Sequence, residues 1–146
     1  MSHQVRGAGF FLIFILVISM AQPGLCFYWN WKFHVHLLNR LSSNAHPLMV
    51  HVRSGDDDLG EHAVWRDGDF QFHFKLNFWE TTLFYCDFTY GNKHKRFDIF
   101  VDGDYKSESC VCNKPHKTVY WRVEDDGFYR SCDDQKYVKV HDWYNS

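Results

Sequence analysis

The chain has 146 residues, 45% hydrophobic and 19% aromatic, with 16 basic against 18 acidic side chains and a formal charge of −2. That length supports one domain around one core, and a near-balanced charge with no basic stripe argues against the phosphate neutralisation that drives nucleic-acid binding. Its 3 prolines are too few for a linker-rich protein.

Arg6 precedes an apolar run from Phe10 to Met20, about eleven residues and the length of a signal-peptide h-region. A membrane span needs roughly twenty apolar residues, and Gln22 and Pro23 interrupt the run first, so no stable membrane insertion is expected. Gly24-Leu25-Cys26 offers a cleavage site before Phe27, and Ser19-Met20-Ala21 offers another before Gln22. The later cut is favoured, giving a signal peptide at 1–26 and a single domain at 27–146. It removes Cys26 and leaves Cys86, Cys110, Cys112 and Cys132, an even set suited to the oxidising compartment of a secreted protein. The mature chain then carries 15 basic and 18 acidic side chains, a formal charge of −3.

Alternation with a period of two predicts the strands. Candidates in chain order are 33–38, 48–52, 70–78, 84–90, 96–101, 119–123 and 138–143. In the third, Phe70, Phe72, Phe74, Leu76 and Phe78 form one apolar face. Gln71, His73, Lys75 and Asn77 form the wet one. Turn signals fall at Gly55, Asp67-Gly68, Gly91-Asn92, Asp102-Gly103 and Asp126-Gly127. The fold class read from this pattern is all-β: a disulfide-stabilised antiparallel β-sandwich of about seven or eight strands.

Within that frame, the run Val35-His36-Leu37-Leu38-Asn39-Arg40-Leu41 is followed by Leu48-Met49-Val50-His51-Val52-Arg53-Ser54-Gly55-Asp56-Asp57-Asp58-Leu59-Gly60. Then come Phe78 with Thr82-Leu83-Phe84-Tyr85-Cys86, Phe97-Asp98-Ile99-Phe100, and Tyr120-Trp121-Arg122-Val123-Glu124-Asp125-Asp126-Gly127-Phe128-Tyr129. This ordered set, covering nearly all of the mature chain, resembles the plant self-incompatibility protein family, the S-protein homologues. The resemblance implies a small secreted β-sandwich whose best understood members are extracellular recognition ligands perceived by pollen; no catalytic residues carry over.

The chain departs from the family pattern at Val52 and Val119, where the family usually has cysteine. Both valines fall on apolar strand faces, and the resemblance implies one disulfide lost as a unit. It implies further that Cys86 bonds Cys110 or Cys112, with the remaining one bridging Cys132. Four cysteines allow three pairings, and Cys86–Cys110 with Cys112–Cys132 is the preferred one.

Three other constellations carry weaker signals. His34 and His36 share a strand face, with His51 on another strand, but no carboxylate or cysteine completes a metal set. Asp56-Asp57-Asp58 reads as a charged turn, because a calcium loop spaces its carboxylates. His36, His51 and Lys75 could serve a ribonuclease-like reaction only if they converged in a pocket. Tyr28, Trp29, Trp31, Trp79, Tyr105 and Trp143 are candidate surface aromatics for recognition.

The expected function is that of a secreted, extracellular ligand, monomeric and without a cofactor, that binds a cell-surface receptor or other extracellular protein. The alternatives are a secreted nuclease-like enzyme or a metal-binding module, each using the histidines. Recognition is expected on loops at 53–61, 91–95, 102–109 and 113–117. The contact candidates there are Asp56, Asp57, Asp58, Asn92, Lys93, His94, Asp104, Tyr105 and Lys106.

Overall fold

The computed structural model describes residues 32–75, 82–101 and 117–145. The signal segment 1–26, Tyr28, Trp29, Trp31, Leu76, Phe78, Trp79, the Asp102-Gly103 turn, Asp104, Tyr105, Lys106, Cys110 and Cys112 lie outside the described residues.

Ten strands are present among the described residues: β1 (Lys32–Asn39), β2 (Leu48–Ser54), β3 (Asp58–Val64), β4 (Asp69–Lys75), β5 (Leu83–Tyr90), β6 (Lys93–Val101), β7 (Thr118–Glu124), β8 (Gly127–Ser131), β9 (Val138–His141) and β10 (Tyr144–Asn145). They form two five-stranded sheets, ordered β4-β1-β7-β8-β9 and β10-β6-β5-β2-β3, here called the first and second sheet. The all-β sandwich expected from alternation is therefore what the chain adopts. The extra strands are β3, β8 and the two-residue β10. One pairing departs from the antiparallel pattern: β1 and β7 run parallel, with Val35 opposite Val119. A parallel pair needs a long crossover, and here the crossover is the whole excursion through β2 to β6.

The apolar alternation points where expected. Val35, Leu37, Leu48, Val50, Val52, Phe84, Cys86, Phe88, Val119, Trp121 and Val123 are all buried between the sheets. Phe70, Phe72 and Phe74 pack against this core but are only partly buried, because β4 is an edge strand. The core is aromatic in two patches. Phe74 lies 4.6 Å from Phe84 and 4.7 Å from Phe100. Phe128 lies 4.9 Å from Phe88 and 4.5 Å from Trp143. Tilted and edge-on ring pairs at such distances add to the burial term.

Trp143 corrects an expectation. It is buried at 8% exposure, and its Nε1 donates to the Glu124 carbonyl at 2.9 Å. It belongs to the core rather than to a recognition surface, because the indole N–H has found a backbone partner inside.

Gly127 shows why the Asp126-Gly127 signal is a turn and also why it must be glycine. Its φ is +150°, and an added Cβ would lie 2.3 Å from the His141 carbonyl oxygen of β9. Any side chain would force β8 and β9 apart.

The cysteines depart from the expected full pairing. Cys132 is disulfide-bonded, but Cys86 is a free, buried thiol, so the expected bridge from Cys86 is absent. Cys86 sits in mid-β5 directly opposite Val52 of β2 and is fully enclosed by core side chains. Burial pushes its thiol well above the ordinary range, leaving a small inert hydrophobe rather than a nucleophile. Val52 and Val119, the positions of the expected lost bridge, lie on opposite sheets and are both buried. The native protein is expected to resist alkylation at Cys86. Peptide mass mapping should show that residue modified by iodoacetamide only after unfolding.

Candidate recognition surface

The strand registers decide which turns share an end of the sandwich. Ser54 pairs with Phe84, and Met49 pairs with Thr89. The β2–β3 turn at 55–57 therefore lies beside the start of β5, whereas the β5–β6 turn at 91–92 lies at the opposite end. Val101, paired with Leu83, and Thr118, paired with His34, flank residues 102–116 and stand at the β2–β3 end. Among the described residues the expected contacts thus divide between two ends, with Asp56, Asp57 and Asp58 at one and Asn92, Lys93 and His94 at the other.

At the β2–β3 end, Asp56 and Asp57 are exposed in a turn that is tightly pinned. Ser54 N donates to the Asp57 carbonyl at 2.7 Å, and Asp57 N donates back to Ser54 Oγ at 3.0 Å. Asp58 already belongs to β3, so much of the expected 53–61 loop is strand. Its Oδ1 accepts from Gly60 N at 2.8 Å and lies 2.6 Å from His51 Nε2. The Gly60 backbone bond, with His51 second, holds the Asp58 carboxyl below the usual carboxylate range.

Asp58 opens a charge lattice on the outer face of the second sheet. Arg53 pairs with Asp58 in register, and His51 with both Glu61 and Asp87. Asp87 in turn pairs with Arg96. Arg53 reaches Asp58 at 3.6 Å and Asp87 at 3.3 Å. Arg96 donates to both carboxylate oxygens of Asp87, with Nη2 at 2.7 Å. Opposite charges across neighbouring strands stabilise the pairing modestly. The lattice lies across the strands that carry the acidic turn.

The Arg96 bond, followed by the Arg96 and Arg53 charges, also depresses the Asp87 carboxyl. The unfolded chain therefore takes up a proton at Asp87 before the folded chain does. Stability from this carboxylate is complete above about its ordinary value of 3.8 and is lost as pH falls below it. Asp87→Asn is expected to lower the melting temperature slightly at pH 6, by the equivalent of under about 1 kcal/mol. At pH 3 that gap should narrow in thermal melts.

At the other end, Asn92 is in the β5–β6 turn, and Lys93 and His94 begin β6. Lys93 Nζ donates to the Asp125 carbonyl at 3.0 Å, and Lys93 and His94 pair with Asn145 and Tyr144 of β10. Lys93 and His94 thus help tie β6 to the β7–β8 turn and to the C-terminus.

The histidines do not converge. His34 and His36 share the outer face of the first sheet, while His51 is on the second, with the whole core between them. Lys75 is on β4, on the same sheet as His36 but on the opposite sheet from His51. A site using His36, His51 and Lys75 together cannot form. Among the described residues no cluster of three or more His, Cys, Asp or Glu side chains is arranged to hold a metal ion. Nor is any helix there long and apolar enough to cross a membrane.

Known proteins agree with this architecture. Residues 34–143 match the profile of the plant self-incompatibility protein S1 family. The chain is 34% identical to S-protein homolog 3 of Arabidopsis thaliana over 68% of its own length and 65% of that protein's. It is 30% identical to self-incompatibility protein S1 of Papaver rhoeas, over 65% of each chain. In shape it resembles a solved structure described as representing "SPH (Self-Incompatibility Protein Homologue) proteins, a widespread family of small, highly stable, secreted proteins from plants". That likeness has a TM-score of 0.55 at 17% identity and covers 78% of this chain and 96% of the other. The match covers most of the chain, and the chain is a member of the plant self-incompatibility protein S1 family.

Proposed function

We propose that the protein is a secreted extracellular ligand that acts by binding another protein, and that the β2–β3 end is the surface it presents. The observation that carries this reading is the acidic turn itself. Asp56 and Asp57 are exposed, yet their backbone is fixed by reciprocal bonds with Ser54. The strands beneath are cross-linked by charge. A preformed charged turn docks with little ordering cost and steers a basic partner. Membership of a family that includes a poppy self-incompatibility protein supports a cell-surface partner, and the apolar leader and the disulfide at Cys132 support secretion. The split placement of the histidines favours binding over catalysis. The remaining expected contacts, at Asn92, Asp104, Tyr105 and Lys106, belong to the same reading as secondary contributors.

The test is saturation binding of the labelled mature protein to plant protoplasts. Binding should saturate, vanish after protease treatment of the cells, and weaken about tenfold in Asp56→Asn/Asp57→Asn, a loss of about 1.4 kcal/mol, with the melting temperature unchanged. Non-saturable or protease-resistant binding would sink the reading.

A further inference from the structure

The outer face of the first sheet carries a feature that protein recognition at the β2–β3 end does not use. Lys32 and Lys75 are directly opposite one another on β1 and β4, and His34 and His73 are the next outward pair. All four side chains are exposed, and the two imidazole rings lie 5.7 Å apart. Among the described residues no carboxylate forms an ion pair with any of the four; on this face Asp69 is engaged by His36 at 2.6 Å and Glu124 by Arg122 at 2.6 Å. Like charges directly opposite on paired strands destabilise a sheet. Such a block is a surface whose charge an anion would complement.

The surroundings indicate what kind of anion. The block continues along the same strands into Gln71 and His36, which pair in register. His36 is stacked on Tyr120 of β7 at 4.8 Å. Thr118 lies beside His34 on the other flank. The floor is thus a flat, open sheet surface, with basic groups at one end and amide, imidazole and phenol rings at the other. Flat rings and amides suit the faces and hydroxyls of sugars, and the basic block suits carboxylates. The chain as a whole is net acidic, so the attraction is local to this face.

We infer that the outer face of β4 and β1, through Lys32, His34, His73 and Lys75, binds a carboxylated polysaccharide, a chain of uronic acids, as a second ligand independent of the protein partner. Neighbouring charged groups are Lys117, which precedes β7 and has a partner of its own, and the His36–Asp69 and Arg122–Glu124 pairs.

The test is retention of the mature protein on immobilised polygalacturonate at low salt, with neutral galactan and polyphosphate as comparison matrices. Polygalacturonate should retain it, and the other two should not. His73→Gln/Lys75→Gln should weaken retention at least tenfold without lowering the melting temperature, since it relieves repulsion. Arg96→Gln, which removes a basic group from the opposite sheet, should leave retention unchanged. Equal retention on polyphosphate, an equal loss in Arg96→Gln, or wild-type retention in His73→Gln/Lys75→Gln would each overturn the assignment.

Discussion

Trp121→Ala is expected to lose about 3–5 kcal/mol of stability, the range for removing a large aromatic from a packed core. Trp121 sits mid-β7 at 2% exposure, with its ring 4.9 Å from Phe97 of the facing sheet. Its indole does a second job that volume alone does not capture. On β6 the register slips, so that Phe84 pairs with Phe100 and Tyr85 with Asp98. Ile99 is left over as a β-bulge, unpaired with β5. Its carbonyl accepts from Trp121 Nε1 at 2.9 Å, a bond between the two sheets. Trp121→Phe keeps most of the apolar volume but orphans that carbonyl, and should cost about 1–3 kcal/mol. Urea titrations of both variants separate the two contributions. A Trp121→Phe midpoint equal to wild type would mean that the inter-sheet bond adds nothing.

The strands that alternation made visible are those whose inward positions are uniformly apolar. Leu48-Val50-Val52 and Val119-Trp121-Val123 are examples, each buried as a row. β3 escaped because its inward positions are not. Paired against Val50 and Leu48 are His62 and Val64. His62 fills its place by stacking on Phe70 at 4.3 Å and by bonding the Leu59 carbonyl at 2.7 Å. A histidine used as a flat core-edge group breaks the apolar period. The omission has a consequence for the site. Each strand carries the chain from one end of the sandwich to the other, so treating 58–64 as loop puts the 55–57 and 91–92 turns at the same end. With β3 present they fall at opposite ends.

Cys86 was misread for a different reason. Its bridge was implied by the family resemblance and by an even cysteine count, and neither of these carries information on the surroundings of the thiol itself. Cys86 faces a valine on β2 and has the burial of a core residue. The basic block on β1 and β4 was also out of reach of sequence reasoning. Lys32 and Lys75 are far apart in the chain and become neighbours only through the antiparallel register.

Asn39→Ala is expected to cost about 2–5 kcal/mol, although the side chain removed is small and polar. Asn39 is fully buried at the end of β1. Its Nδ2 donates to the Val64 carbonyl at 2.8 Å, and its Oδ1 accepts from Leu41 N at 3.0 Å. Its backbone takes part as well: its N–H donates to the Gly68 carbonyl at 3.0 Å, and its carbonyl accepts from Asp67 N at 2.8 Å. One residue therefore holds together the end of β1, the end of β3 on the other sheet and the 65–68 turn. Alanine leaves the backbone bonds possible but strands a buried carbonyl and a buried N–H, each costing about 1–3 kcal/mol. Asn39→Asp should be at least as damaging, because a carboxylate cannot donate to Val64 and would bury a charge. Urea unfolding should show a lower midpoint for both variants. A loss below about 1 kcal/mol in Asn39→Ala would mean that water replaces the side chain and that the two sheets are held at this end by apolar packing alone.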